Sequence, residues 1–483
     1  MFKTVKDSYL NTGWDNFNNG YDISGEEVER LISVVPTKLQ ADFSDNEYYS
    51  FIHFGMNTFR GVEWGTGKES PKEFNPETLD TDQWARVLKE SGSSGIILTA
   101  KHHDGFCLFP SKYTEHSVKN SPYKNGKGDV VKELSKSCKK YGLKFGIYLS
   151  PWDMHEKTYG TESYNDYFVN QLTELCTNYG DIFVFWFDGA KGKGWPDFNY
   201  DFERYYATIR KLQPNAAISV CGPDIRWIGN EGGVTRESEW SVVTKGSASI
   251  SEIMKNSQHS ESEADALKEV RYDAPDMGSR ELVKNYRDLI WYPAEADVSI
   301  HHDWFYNDKS KMRTAKELSD IYFASVGGNA FLLLNVPPSK NGVIEEKDVK
   351  LLKDFKKNVD SAFKTKLSFD ISVNGNKTDG LSRIKTDGSY MLKIGERAVK
   401  CGFNGEKNVA TVVLREDIRH SQRIEEFKLI AETDKGLKCV YNGTVIGSKK
   451  IVRFKKPIKA TAFYLLITQS RSNPYIRSIE IFE

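Results

Sequence analysis

The sequence predicts an α/β barrel of the (β/α)8 kind followed by an all-β sandwich. Three observations carry this. From about residue 47, short apolar runs alternate with amphipathic stretches in five successive units, the pattern of parallel strands joined by helices. No glycine-rich dinucleotide fingerprint accompanies them, which favours a closed barrel over a doubly wound sheet. After about residue 362 helical periodicity fades, and strand-like runs alternate with Gly, Asn and Asp turns, the signature of an antiparallel sandwich. The expected organisation is an N-terminal extension packed on the barrel (1–45), the barrel (46–360) and the sandwich (361–483).

The elements follow in order. "YYSFIHFG" (48–55) reads as the first strand. "TDQWARVLKESG" (81–92) is a helix, with Thr81 as its N-cap and Gly92 as its stop. "GIILTA" (95–100) is the second strand, and "GDVVKELSKSCKKYG" (128–142) a helix starting after Gly128, acidic at its start and basic at its end as the dipole favours. "LKFGIYLS" (143–150), a helix over 164–180, "DIFVFWFDG" (181–189), a helix over 201–213 and "AAISVCG" (216–222) continue the alternation. "EADVSI" (295–300), a helix over 314–327 and "NAFLLLNVPP" (329–338) close the barrel. The stretch 241–294 reads as a long insertion around 246–270, or alternatively as a small lid domain. A helix over 345–363 leads into the sandwich runs, among them "NVATVVLRE", "EEFKLIAE" and "ATAFYLLIT".

Composition narrows the function classes. Basic and acidic residues balance, 67 against 67, so the chain lacks the excess of positive charge expected of a nucleic-acid binder. No run of eighteen apolar residues occurs, so no membrane-spanning helix is expected. The N-terminus has no apolar signal-peptide stretch; the expected location is cytoplasmic, or secreted or periplasmic if a leader has been removed. The six cysteines, Cys107, Cys138, Cys176, Cys221, Cys401 and Cys439, are far apart and form no CxxC pair, so they are expected to be structural thiols.

A parallel barrel presents its chemistry at the C-terminal ends of its strands. There the sequence places His53, with Glu63 and Trp64 beyond it; His102, His103 and Asp104; Tyr148, Trp152 and Asp153; Trp186 and Asp188; then Asp224, Arg226, Trp227 and Glu231, and later Trp240 and Trp304. A lone histidine beside an apolar run is usually structural, and Asp188 could bond its own turn. The recurrence at successive strand ends points to a site. A metal centre is disfavoured: adjacent His102 and His103 point to opposite faces if the strand continues through them, and no HExxH pair occurs. Serine-nucleophile chemistry lacks its GxSxG elbow. Glycoside hydrolysis needs two carboxyl groups, neutral donors for hydroxyls and flat aromatic surfaces, and the histidines and tryptophans around Asp188 and Glu231 meet that need.

Taken together, "FIHFG", "EWG", "AKHHDGF", "GIYLSPWD", "WFDG" and "GPDIRWIGNE" resemble the alpha-L-fucosidases of glycoside hydrolase family 29, in order, over residues 45–340. The last segment resembles the subgroup acting on alpha-1,3- and alpha-1,4-linked fucose in branched glycans. The resemblance implies a retaining exo-enzyme without cofactor or metal. It implies Asp188 as nucleophile, Glu231 as acid/base, and His53, Glu63, Trp64, His102, His103, Tyr148, Trp186, Arg226 and Trp304 at the substrate. The implied partner is a fucosylated oligosaccharide or glycoconjugate; no nucleic acid or membrane partner is expected. In such a mechanism the two carboxyl groups stand about 5–5.5 Å apart. The alternatives are a fucosidase of broader linkage preference, including alpha-1,2 and alpha-1,6, and a fucose-binding protein with little turnover. Many relatives carry arginine where this chain has His301 in "SIHHDWFY" (299–306); His301 and His302 are expected either at the pocket rim or in a variable loop. The sandwich contains no tryptophan and is expected to be structural rather than sugar-binding.

Overall fold

The computed structural model describes residues 25–257 and 276–483, apart from 375, 377–379, 386–387, 394–395 and 397. Eight strands form one parallel sheet: β1 (Tyr48–Ile52), β2 (Gly95–Lys101), β3 (Lys144–Leu149), β4 (Val184–Phe187), β5 (Ala217–Val220), β6 (Arg226–Trp227), β7 (Ala294–Ser299) and β8 (Ala330–Asn335). β1 to β5 pair in chain order, as do β6 to β8, and β8 returns to pair with β1. Between β5 and β6 the ring is joined by one parallel bridge, Ser219 to Ile225. These strands are short and buried throughout except at Lys144 and Trp227, as parallel strands covered on both faces must be.

The helices follow the periodic stretches: α1 (Thr81–Glu90), α2 (Val130–Tyr141), α3 (Glu162–Asn178), α4 (Phe202–Leu212), α5 (Ala315–Ser325) and α6 (Glu346–Ser361). The cap of α1 is Asp80, which accepts from the Gln83 N–H, and not Thr81; the Thr81 hydroxyl is instead paired with Ser137 of α2. Asp129, Asp201 and Thr314 cap α2, α4 and α5 in the same way.

Sequence periodicity misses β6. It has two residues, and no helix precedes it: the chain turns from β5 through Cys221–Ile225 directly back into the sheet. The turn is tight enough to force Val220, a β-branched residue, to a φ of 66°, a conformation costing about 1–3 kcal/mol. The insertion begins with a short antiparallel pair, Val242–Thr244 against Leu289–Trp291; its residues 258–270 lie outside the described residues.

A short helix, Lys38–Phe43, covers the N-terminal end of the barrel. It starts with a Thr37–Gln40 capping box. Its Phe43 ring packs against Tyr49, Phe183 and Phe331, so this end is closed by aromatic packing and the opposite end remains for chemistry.

The C-terminal part is an antiparallel β-sandwich. Its two longest strands, Ala398–Glu416 and Lys450–Ser470, pair along their length with register shifts between Gly402 and Lys407 and between Val409 and Thr411; such irregularities let long strands bend. Its apolar side chains, among them Val412, Leu429, Phe463 and Ile479, form a core of their own. Arg415 and Lys449 reach from the sandwich to Glu47 at the foot of β1.

Candidate active site

The strand ends converge on an aromatic and carboxylate cluster. β2 stops at Lys101, so His102 and His103 lie beyond the strand. The expectation that they diverge is corrected: their ring centroids are 4.0 Å apart, because the alternation of a strand no longer applies. Tyr148 at the end of β3 stacks on His102 (5.5 Å, 16°) and on Trp186 of β4 (5.4 Å, 23°). His53, just past β1, stands 5.9 Å from His102, 6.0 Å from Tyr148 and 5.1 Å from Trp304. The half-exposed Trp64 meets His103 edge-on at 5.7 Å.

Asp188 follows β4 and faces this cluster. One oxygen accepts from the Tyr148 hydroxyl at 2.9 Å, the other from the Ala190 N–H at 2.8 Å. His103 Nε2 lies 3.7 Å away, and the Asp188 side chain is 20% exposed, buried enough to be oriented and open enough to be reached. Glu231, on the loop after β6, accepts from the Trp304 indole at 3.0 Å. Both carboxylates act electrostatically on His53, and they come from the ends of β4 and β6.

Glu63 is a third acid here. Its two oxygens accept from the main-chain N–H groups of Trp304 (3.0 Å) and Phe305 (3.2 Å). Burial pushes its carboxyl up to about 8, helped by the charges of Asp303 and Glu231 and opposed by the two N–H donors.

The imidazoles are wired from behind. Ser150 Oγ donates to the Trp152 carbonyl, so it accepts from His103 Nδ1 at 2.7 Å. Asn57 Nδ2 donates to the Glu63 carbonyl and lies 3.3 Å from His102 Nδ1; that nitrogen is therefore an acceptor and the ring hydrogen sits on Nε2. Burial holds His102 well below its ordinary value, and the neighbouring His103 and His53 add to this. Beneath the rings, Glu295 of β7 accepts from the Trp186 indole at 2.7 Å and from Ser219 at 3.1 Å inside the barrel. Asp297, also on β7, accepts from Trp227 at 2.8 Å.

The sequence profile of the alpha-L-fucosidase family matches residues 30–360. The chain belongs to the alpha-L-fucosidase family. It is a glycoside hydrolase of family 29. Alpha-L-fucosidase 1 of Arabidopsis thaliana is 38% identical over 464 residues, 93% of this chain and 87% of the relative. A Bacteroides ovatus protein provisionally assigned as an alpha-L-fucosidase superposes with a TM-score of 0.83 at 42% identity, covering 96% of this chain and 76% of the other. A family 29 fucosidase of Ruminococcus gnavus, a mutant solved in complex with fucose, superposes with a TM-score of 0.81 at 30% identity, covering 98% of each chain.

Within this alpha-L-fucosidase the expected site residues divide. His53, Glu63, Trp64, His102, His103, Tyr148, Trp186, Asp188, Glu231 and Trp304 form one contact network. Arg226 is engaged elsewhere: it is buried in β6 and its guanidinium binds Glu239. Asp104 turns the chain by accepting from the Phe106 N–H, and Asp153 pairs with buried Lys101 at 2.8 Å. Trp240 stacks under Arg471 of the sandwich at 3.8 Å. His301 is not at the rim: it is 3% exposed and binds Asp348 of α6 at 2.9 Å. The residues sequence reasoning passed over are the partners, Asn57, Ser150, Asn335, Glu295 and Asp297. Asn335 ends the run "FLLLN" and satisfies the strand-end rule that found the others; the rest carry no local signal. All six cysteines are free thiols, five of them buried. Among the described residues no group of three or more His, Cys, Asp or Glu side chains is disposed to hold a metal ion, and no helix is long and apolar enough to cross a membrane.

Proposed function

We propose that this fucosidase removes alpha-1,3- and alpha-1,4-linked fucose from branched glycans by double displacement, with Asp188 as nucleophile and Glu231 as acid/base. The observation that carries the assignment of roles is the difference between the two carboxylates' surroundings. Asp188 is held at both oxygens, by a phenol and a main-chain N–H, which fixes the direction in which the group faces the pocket. Glu231 is held by the Trp304 indole at Oε2 and is assigned to carry the proton to the leaving group. Glu63 is the competing acid, since burial pushes its carboxyl up to about 8. Its oxygens both face main-chain donors, and this fits a clamp on the Trp304 segment better than a proton donor to substrate.

In the first step the Asp188 carboxylate bonds to the anomeric carbon while the glycosidic oxygen leaves with the Glu231 proton. In the second, Glu231 takes a proton from water, whose oxygen displaces Asp188 and releases fucose. His53, His102 and His103 supply the polar contacts to the sugar hydroxyls, and Trp64 and Trp304 its apolar walls. The sequence around Glu231 supports the linkage preference.

The test compares Asp188→Ala, Glu231→Ala and Glu63→Gln on Lewis a, Lewis x, 2'-fucosyllactose and an aryl fucoside with a good leaving group. Asp188→Ala loses nearly all turnover on every substrate. Glu231→Ala loses about 10²–10⁴-fold on the Lewis glycans and far less on the aryl fucoside. If Glu63→Gln shows the leaving-group dependence and Glu231→Ala does not, the acid is misassigned. Equal rates on all linkages overturn the preference for alpha-1,3 and alpha-1,4.

A further inference from the structure

One buried amide sits behind both halves of the site. Asn335, the last residue of β8, is 0% exposed. Its Oδ1 accepts from the His53 main-chain N–H at 3.2 Å and lies 2.9 Å from His53 Nδ1. Its Nδ2 donates to Ser299 Oγ at 2.9 Å and to the Trp304 carbonyl at 2.8 Å. A main-chain N–H can only donate and a carbonyl can only accept, so both ends of the amide are fixed in orientation. Oδ1 has no hydrogen to give. His53 Nδ1 must therefore carry the ring hydrogen, and Nε2 is left with a lone pair.

The surroundings keep that ring neutral. Burial pushes His53 down to about 4, and His103 contributes in the same direction; the Asn335 bond and the charges of Asp188 and Glu231 act against it without reversing it. His102 and Tyr148 complete the set of titratable rings against it. His102 has the opposite wiring, with its hydrogen on Nε2. Two touching imidazoles thus present one acceptor and one donor, a pattern that reads the direction of a hydroxyl as well as its position.

We propose that Asn335 is a positioning residue for the hydrolysis, locking His53 in the Nδ1–H form so that Nε2 accepts from a sugar hydroxyl, and anchoring the Trp304 segment whose indole holds Glu231. The proposal rests on the reading of Asp188, Glu231 and His53 as the fucose site. Asn335 touches no substrate; it acts by fixing which atom of His53 holds the hydrogen and where Trp304 lies.

Asn335→Asp tests it at constant volume. A carboxylate beside Nδ1 favours the imidazolium, which turns Nε2 into a donor, and the Trp304 carbonyl loses its partner. The first measurement needs no substrate: nitrogen–proton correlation spectra of the full chain labelled at histidine, with His53 assigned by its absence in His53→Gln. Wild type is expected to show the neutral Nδ1–H form from about pH 5.5 to 8, and Asn335→Asp the doubly protonated ring near neutral pH. An Nε2–H form in wild type overturns the proposal even if the variant does not fold. The second measurement is the pH profile on an aryl fucoside. Asn335→Asp is expected to raise KM about tenfold or more near pH 7 and to move the acid limb of kcat/KM to higher pH. A lower melting temperature with wild-type tautomer and pH profile marks Asn335 as merely structural and overturns the proposal. A wild-type protein inert on every fucoside, with the Nδ1–H form intact, overturns the site reading while leaving the tautomer lock standing.

Discussion

Replacing Glu63 by glutamine is expected to change the slope of stability against pH, and the structure sets the size of the change. In the folded chain burial holds the Glu63 carboxyl up at about 8, against an ordinary value of 4.5. Between those two values the native state keeps a proton that the unfolded chain releases. Stability therefore falls as pH rises through this window, by at most about 1.4 kcal/mol per pH unit for one group. The full displacement corresponds to a ceiling of about 5 kcal/mol. Glu63 is not fully buried, so water at the open side reduces the effect to about 2–3 kcal/mol. Glutamine cannot titrate, but its amide nitrogen cannot accept one of the N–H groups of Trp304 and Phe305 that the carboxyl oxygens receive. That loss costs about 1–3 kcal/mol at every pH. Glu63→Gln is thus expected to be the less stable protein near pH 5 and to close most or all of the gap by pH 8. Urea unfolding at four pH values between those limits measures both curves. Asp104, pushed up to about 7 by burial, titrates in both proteins and cancels in the difference. Parallel curves, with a difference constant to within about 0.5 kcal/mol, would refute the account of Glu63 as a protonated, buried clamp.

Other perturbations have equally definite outcomes. His301→Ala removes the hydrogen-bond partner of the buried Asp348 side chain and should cost about 1–3 kcal/mol while KM for an aryl fucoside stays within about twofold; a raised KM at unchanged stability would return His301 to the pocket. Lys101→Met removes the cation from an ion pair whose side chains are both 0% exposed, and should cost about 3–5 kcal/mol in denaturant titration, because Asp153 also holds the loop after β3 through the His155 and Glu156 N–H groups; an unchanged midpoint contradicts this. Deleting the chain from residue 362 onward removes Arg415 and Lys449 from Glu47 and Gln422 from the Ser241 N–H. The shortened protein should aggregate or melt well below the full chain, and a soluble, fully active product would refute the structural role of the sandwich.

The barrel was legible because its strands are uniformly buried and its helices carry their own stops and caps. A continuous apolar run followed by a polar strand end is a local pattern, and together with the barrel expected from the alternation it singles out His53, His102, His103, Tyr148, Asp188 and Trp304. The same rule applied to "FLLLN" would have found Asn335. β6 was not legible: two residues without a preceding helix leave no period to detect, so Glu231 was placed after the fifth strand when it follows the sixth.

What the sequence by itself determined is the order of the elements long enough to show a period, which leaves out β6, and the side chains offered at their ends, since both follow from spacing along one segment. Only the tertiary structure decided which of those side chains meet and in what state of protonation. Asn335 reaches His53 across 282 residues of chain, and Glu63 reaches Trp304 across 241. The physical reason is that a hydrogen's place on an imidazole, or a proton's on a buried carboxyl, depends on the donors, charges and water around it, and in a closed barrel those neighbours come from strands far apart in the chain.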